Sequence, residues 1–478
     1  MKRIILLVCL LGCGFLAQAQ HEMSAFTATG RAGVSTTMVR DYQSLGINPA
    51  NLGMIRNTNN TLEKPKIVSF GIGEFAISVH SDALSKDALG RNLFSLNALS
   101  GGGDSLDWAA KAQAALDFAD KGVELAADVL GAGVAITPSR AVGGFAIGVR
   151  DRFKSSFRFN TDAADLFFNG YNASYFDSTA VINGDTVGFA TQPLTLTGLF
   201  NGSRFSLNWY RELHFAYGRV LLDEESVKIY AGVGAKYIMG MGYMDVDVRE
   251  GFSAFSALGP VFDIDYGANT SPSSVGTGGG STVGTGLGID AGITLSFGAE
   301  EQFKVGASIT DLGSITWDGN VYTANDTILP SLTDNGIDSY NLVDEIEEFG
   351  AQTNFVQWAG TQEVKVSLPT LLRFGASYRV VDQLELSADM VVPFSESAAS
   401  LDKALFAFGV DVRPISAIRI STGLSTGAEF GMGIPVGLYF TAPQQIYEIG
   451  IASRDAITFF TQNTPTLSMA MGFLRFKL

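Results

Sequence analysis

The chain has 478 residues, and its 32 basic against 48 acidic residues give a formal net charge of −16. That balance repels nucleic acid and gives no attraction to anionic lipid headgroups, so neither is expected as an electrostatic partner. The two cysteines, Cys9 and Cys13, both fall in the first twenty residues, which excludes disulfide and thiol chemistry from the rest of the chain.

Lys2-Arg3 forms a positive n-region, Ile4 to Leu11 an apolar h-region, and Ala17-Gln18-Ala19 a small-x-small cleavage site. Residues 1–19 therefore read as a secretory signal peptide, with Ala17 and Ala19 marking the cleavage. Leu10-Leu11-Gly12-Cys13 also resembles a lipoprotein signal, in which Cys13 would carry the lipid. Without Lys2 and Arg3 the count is 30 basic against 48 acidic, or −18.

From residue 20 to about 65 no hydrophobic period persists. Thr29 to Met54 is rich in Gly, Ser, Thr, Asn and Pro, and Asn48-Pro49 is a turn-initiating pair. Such a segment reads as irregular backbone held by something larger, and residues 66–478 are what holds it. Mean hydropathy is +0.20, yet no later apolar run reaches the length of a membrane helix. Apolar content spread over many alternating segments, with 55 Gly, 34 Phe and only 17% charged residues, is what a transmembrane β-barrel requires.

The clearest strand runs from Val227 to Tyr243. Its odd positions are Val, Ile, Ala, Tyr and Met, and its even positions include Lys228, Gly232, Gly234, Lys236 and Gly240. Successive side chains point to opposite faces, so one face is greasy and the other small or cationic. Soluble strands usually run about 5–6 residues; this alternation is three times as long and suits a tilted strand crossing a bilayer. Val283 to Phe297 repeats the pattern with Asp290 on the polar face, Leu372 to Val380 with Arg373 and Arg379, and Leu384 to Val392 with Glu385 and Asp389. Charges on one face of a membrane strand belong in the lumen, so Lys228, Lys236, Asp290, Arg373, Arg379, Glu385 and Asp389 are expected there.

Fourteen strands are predicted, at about 66–80, 131–137, 141–153, 203–220, 227–247, 281–298, 303–312, 364–380, 383–393, 405–413, 417–425, 432–441, 445–452 and 466–478. Tight connections alternate with long ones. Short periplasmic turns, long extracellular loops and an even strand count predict an outer-membrane barrel of a Gram-negative-type envelope with both termini periplasmic. Within the loops, Trp108 to Leu130 carries apolar residues at helical spacing and is expected as an amphipathic helix; Thr161–Asn169 and Asp338–Phe349 are expected as shorter ones. Ser271–Thr285 reads as a flexible Gly/Ser/Thr run.

No catalytic set emerges. Gly423-Leu424-Ser425-Thr426-Gly427 matches a nucleophile elbow in letters only, because no helix is expected after it. No His/Cys cluster has zinc spacing, and no metal or cofactor is expected.

Gly30-Arg31-Ala32, followed by Asn48-Pro49-Ala50 and Leu52, resembles the N-terminal hatch of the FadL family of long-chain fatty-acid channels. Leu368-Pro369-Thr370 with Arg373 to Tyr378, Gly288 to Gly292, and Ser308 to Gly313 resemble strands of FadL-like and PorV-like barrels, in a poorly characterised branch of that group. The resemblance implies a fourteen-stranded barrel, residues 66–478, whose lumen is plugged by residues 20–65. It also implies a channel that takes up a hydrophobic, fatty-acid-like molecule, captured among the extracellular loops and released when the hatch shifts or through a lateral opening, with membrane lipid around the barrel. In that frame Gly30, Gly33, Asn48, Pro49 and Ala50 shape the hatch, and Arg31 is expected to pair with a lumenal carboxylate such as Asp290, Glu385 or Asp389. PorV-like members imply the alternative of a closed accessory barrel that presents loops to a secretion-system protein or its cargo. A soluble all-β protein is the remaining option, and it predicts strands too short to span a membrane.

Overall fold

Residues that alternate in polarity over long runs pair here into one antiparallel wall. A computed structural model of the protein describes residues 25–54, 67–83, 106–249, 251–260, 282–338, 358–361, 363–395, 401, 403–427, 432–456 and 466–478. Its wall strands are β1 (Val68–Ser81), β2 (Gly122–Ser139), β3 (Gly143–Arg158), β4 (Arg204–Asp223), β5 (Val227–Asp247), β6 (Gly284–Phe297) and β7 (Phe303–Trp317). There follow β8 in two pieces (Val364–Ser367 and Leu371–Val381), β9 (Leu384–Pro393), β10 (Leu405–Ile415), β11 (Ile418–Gly427), β12 (Val436–Thr441), β13 (Tyr447–Ser453) and β14 (Thr466–Lys477). Each pairs with its neighbours in sequence, and β14 returns to β1 from Ser69↔Lys477 to His80↔Thr466. The barrel is closed and fourteen-stranded, so the sheet has no open edge.

The two faces of the wall differ as the alternation requires. On β5 and β6 the outward side chains Val233, Tyr237, Leu287 and Ile289 are exposed, Leu287 at 68%, whereas Lys236, between two of them, is 1% exposed. An apolar exterior around a charged interior is the inverse of a soluble protein and fits an outer-membrane barrel, the hydrocarbon replacing water outside. Strands of 20 and 21 residues, β4 and β5, remove the soluble all-β option.

Six tight turns and the pairing of Ile67 with Leu478 (N–H to O 2.8 Å) share one end of the barrel, the turn end. The long connections share the other, the loop end. There the helices Trp108–Phe118 and Thr161–Asn169 pack Phe118, Leu166, Phe167 and Phe168 into an apolar cap. A three-stranded sheet of 178–182, 185–189 and 331–332 lies beside it. The helix Thr161–Asn169 has the predicted bounds, with the Asn160 side chain capping Ala163 N–H at 2.8 Å.

Three expectations need correction. The helix predicted over Trp108–Leu130 stops at Phe118, and residues 122–130 lengthen β2 instead, opposite Ser81 to Glu74 of β1. Asp120, with φ 58°, breaks the helical path, and pairing along the wall outweighs the helical spacing. On β5 the greasy odd face does not continue to its end: Met241 is an extra residue between the pairs Tyr210↔Gly240 and Trp209↔Gly242, and beyond this bulge Tyr243 turns inward against Trp317 (ring centroids 5.4 Å). The predicted 364–380 strand is broken at Leu368-Pro369-Thr370, where proline removes a ladder donor. The signal peptide with Ala17 and Ala19, the hatch boundary near 65, the Ser271–Thr285 run to residue 281 and the expected helix from residue 339 on lie outside the described residues.

Candidate functional site: the lumenal segment and its wall

Residues 25–54 lie inside the barrel and are almost wholly buried. Short turns replace regular structure there: a helical turn Phe26–Thr29, and 3-10 turns at Asp41–Ser44 and Pro49–Gly53. Asn48 organises the last of these. Its Oδ1 accepts from Ala50 N–H at 3.2 Å, Pro49 occupies the first helical position, and its Nδ2 donates to Thr36 O (3.0 Å) and to Thr294 Oγ1 of β6 (2.9 Å). One side chain thus shapes the segment and ties it to the wall. Gly33 takes φ 81°, a left-handed conformation that glycine adopts without strain.

The wall is cut to receive this segment. A Cβ at Gly232 would stand 2.6 Å from Ala50 N, one at Gly375 2.6 Å from Thr36 Cβ, one at Gly409 2.8 Å from Arg31 Cβ, and one at Gly472 2.5 Å from Phe26 Cδ1. Glycine on the inward face of four different strands lets the segment's backbone and side chains approach the wall closely. In Gly409→Val the added methyl groups collide with Arg31, an overpacking cost of about 1–3 kcal/mol that displacement of the segment relieves. A cysteine placed at Ser35, itself fully buried, is therefore expected to react with a water-soluble maleimide faster in the Gly409→Val background; equal rates would mean the wall yields instead.

Charge holds the segment on the turn side. Arg31 pairs with Asp411 of β10 at 3.1 Å, and its Nε donates to Val34 O at 2.7 Å. The expectation of Asp290, Glu385 or Asp389 as its partner is thereby replaced. Asp389 binds the same loop through backbone instead, accepting from Ser35 N–H (2.7 Å), Thr36 N–H (2.8 Å) and Thr36 Oγ1 (2.9 Å). From Asp411 the ion pairs run on through Arg419 (3.1 Å), Glu448 (3.0 Å) and Arg475 (3.0 Å), and return to Asp41 of the segment (2.8 Å). Tyr42 donates to Glu74 of β1 at 2.5 Å, and Gln43 donates to the other Glu74 oxygen at 2.9 Å. Burial, aided by the Glu74 charge, lifts the Tyr42 phenol well above its ordinary pKa, so it stays a donor.

On the loop side of the segment, beside Gly46, lies a second buried cluster. Lys236 of β5 contacts Asp290 of β6 (3.2 Å) and Asp311 of β7; Arg152 of β3 bridges Asp311 and Glu212 (3.2 Å each); His214 of β4 meets Asp290 at 3.0 Å. Asp311 has φ 60° within a strand, where Thr310 and Asp311 bulge between the pairs Ile309↔Ala291 and Leu312↔Ile289, and its N–H is held by Asp290 Oδ1 at 2.8 Å. The bulge faces the break in β8, across which Thr370 Oγ1 donates to Asp311 O at 2.8 Å.

Of the sequence-predicted residues, Gly30, Arg31, Gly33, Asn48, Pro49 and Ala50 come together in the lumenal segment. Lys236 and Asp290 join the loop-side cluster, and Asp389 the segment's latch. Arg373 is buried on the inner face of β8. Lys228 (to Glu301, 3.0 Å), Arg379 (to Glu300, 3.7 Å) and Glu385 (to Lys304, 3.9 Å) sit apart, at the turn-end rim. Asp411, Glu74, Tyr42 and Asp311 were not among the expected site residues; Gly232 was placed on the inward face, but its contact with the segment was not foreseen. The signal for Asp411 was its position two residues from Gly409, on the same face of an alternating strand.

Among solved structures the chain is similar to the toluene transporter TodX of Pseudomonas putida (9% identity, 97% of this chain and 99% of that one, TM-score 0.43). It is similar also to the CymD monoaromatic hydrocarbon channel (10%, 95% and 97%, 0.41) and to a FadL homologue of Pseudomonas aeruginosa (9%, 96% and 98%, 0.40). No curated protein matches it. Residues 67–448, nearly all of the wall, match the model of a family of unknown function, DUF5723, and the chain belongs to that family.

Proposed function

We propose that this barrel is an outer-membrane channel for hydrophobic small molecules, with residues 20–65 as its hatch. The observation that carries the reading is the lumenal segment itself: thirty residues, almost wholly buried, held against the wall by ion pairs, hydrogen bonds and glycine contacts. Such a plug is displaceable. The cargo class follows the FadL-like resemblance of the hatch sequence, and the turn end, which carries Leu478, faces the periplasm in this reading, where short turns belong.

The test is uptake of a radiolabelled long-chain fatty acid, and separately of toluene, by cells expressing the chain, against an empty vector. Uptake above background supports the channel; none from a correctly inserted barrel refutes it. Arg31→Ala leaves Asp411 with Arg419 and the Ser421 hydroxyl and is expected to raise leakage of small sugars in liposome swelling, whereas unchanged permeability removes Arg31 from the gate.

A closed accessory barrel is the second reading, favoured by one observation. The hairpin Ser178–Ile182 and Asp185–Phe189 stands out from the loop-end cap with Ser178–Ile182 exposed along its whole length. A stoichiometric envelope protein co-purifying without lipid would select it.

A further inference from the structure

Between the lumenal segment and the turn-end rim lies a cavity of about 480 Å³, and its charges do not balance. Most carboxylates lining it are already engaged: Asp411 and Glu448 by the ion-pair chain from Arg31 to Asp41, and Glu301 by Lys228. Asp382 makes no ion pair among the described residues, and the other exception is Glu385. It stands in the field of Lys304, Arg413 and Arg40 together, and even Lys304 comes no closer than 3.9 Å. Among the described residues, Arg40 and Arg413 make no ion pair and no side-chain hydrogen bond. The lining thus holds eight basic side chains against seven acidic ones within a protein whose overall charge is strongly negative, and two of the basic ones, Arg40 and Arg413, are without an ion pair.

We infer that this cavity is an anion subsite, in which Arg40 of the hatch and Arg413 of β10, with Lys304 of β7, receive the carboxylate or phosphate group of a ligand. Excess positive charge against a low-dielectric wall draws a counter-anion. Two guanidinium forks offer the paired donors that planar carboxylate or tetrahedral phosphate accepts. Met38, Met54 and Ile415 line the same cavity and give an attached chain an apolar surface. The volume lies within the range of small-molecule sites. Because Arg40 rides on the hatch while Arg413 and Lys304 belong to the wall, an anion held by all three ties the two together. The site stands apart from the channel reading, since a permanently closed barrel would carry it equally.

The experiment is calorimetric titration of the detergent-purified full-length barrel with sodium octanoate, inorganic phosphate and 1-octanol. Variants are Arg40→Gln, Arg413→Gln and the charge-keeping Arg413→Lys, each checked for the heat-modifiable gel mobility of a folded barrel. Octanoate or phosphate is expected to bind the parent, with affinity falling about tenfold or more in either glutamine variant and less in Arg413→Lys, as loss of a charge-assisted pair implies. Octanoate alone binding assigns an amphiphile headgroup; both binding assigns a free anion as sufficient. The inference is overturned if neither anion binds, if 1-octanol binds as well as octanoate, or if both glutamine variants bind like the parent. Should a glutamine variant fail to fold, suppression of parent binding by high salt decides, because an apolar site would not weaken.

Discussion

Removal of residues 25–54 is expected to turn a closed barrel into an open pore. The wall pairs are complete without that segment, since β1 and β14 close directly on each other, so the barrel has no need of it to form. What the segment occupies is the lumen, and the inner faces it covers carry Glu74, Asp389, Asp411 and Glu448. Once uncovered, these carboxylates hydrate rather than stay buried and unpaired, and water fills the space as it does in larger barrels. In planar lipid bilayers the parent is expected to give no resolvable steps and the deletion discrete, ohmic ones. Swelling with small sugars should rise in parallel. A deletion that folds but stays silent would mean that the loop-end cap, with Phe118 and Phe168 at its centre, seals the lumen by itself.

The wall was legible in the sequence because a transmembrane strand declares itself over a long run. Seventeen alternating residues from Val227, and fifteen from Val283, leave no other period to choose. The misreading at 119–130 has the same origin: Ala119, Val123, Ala126 and Leu130 satisfy a helical spacing, and the pairing of 122–130 with β1 that decides the matter lies some forty residues away. The lumenal segment was legible as irregular backbone, since its glycines and Asn48-Pro49 disfavour a regular period. Its partners were not. Asp290, Glu385, Asp389 and Asp411 are equivalent as inward carboxylates on alternating strands. Which of them meets Arg31 depends on strand stagger and on the depth of the plug, and no local pattern encodes either. Asp389 illustrates the point: it binds the hatch through Ser35 and Thr36 backbone, a contact that requires no charged residue on the hatch side.

Lys236→Met is expected to be the most destabilising single change in the wall. Lys236 is the cation set between Asp290 and Asp311, both almost completely buried, and methionine keeps its length and apolar stem while removing its charge. Arg152 remains for Asp311 and His214 for Asp290, but Arg152 is already shared with Glu212. Breaking a buried pair by deleting one member costs about 3–5 kcal/mol, because a charge is left in low dielectric without its partner. The strain does not stay local. Asp311 holds a left-handed backbone within β7 only while its N–H is fixed by Asp290 and its side chain by Lys236, and its carbonyl receives Thr370 across the break in β8. Urea unfolding in lipid vesicles, followed by gel mobility, is expected to show a midpoint well below the parent. Lys236→Arg should keep most of the stability, and adding Asp290→Asn to Lys236→Met should recover part of the loss, since the neutral amide needs no cation. A midpoint for Lys236→Met equal to the parent's would show that water reaches the cluster from the lumen. The hatch would then be a plug that leaks at Gly46, and the charges above it would line a wet path rather than a dry seal.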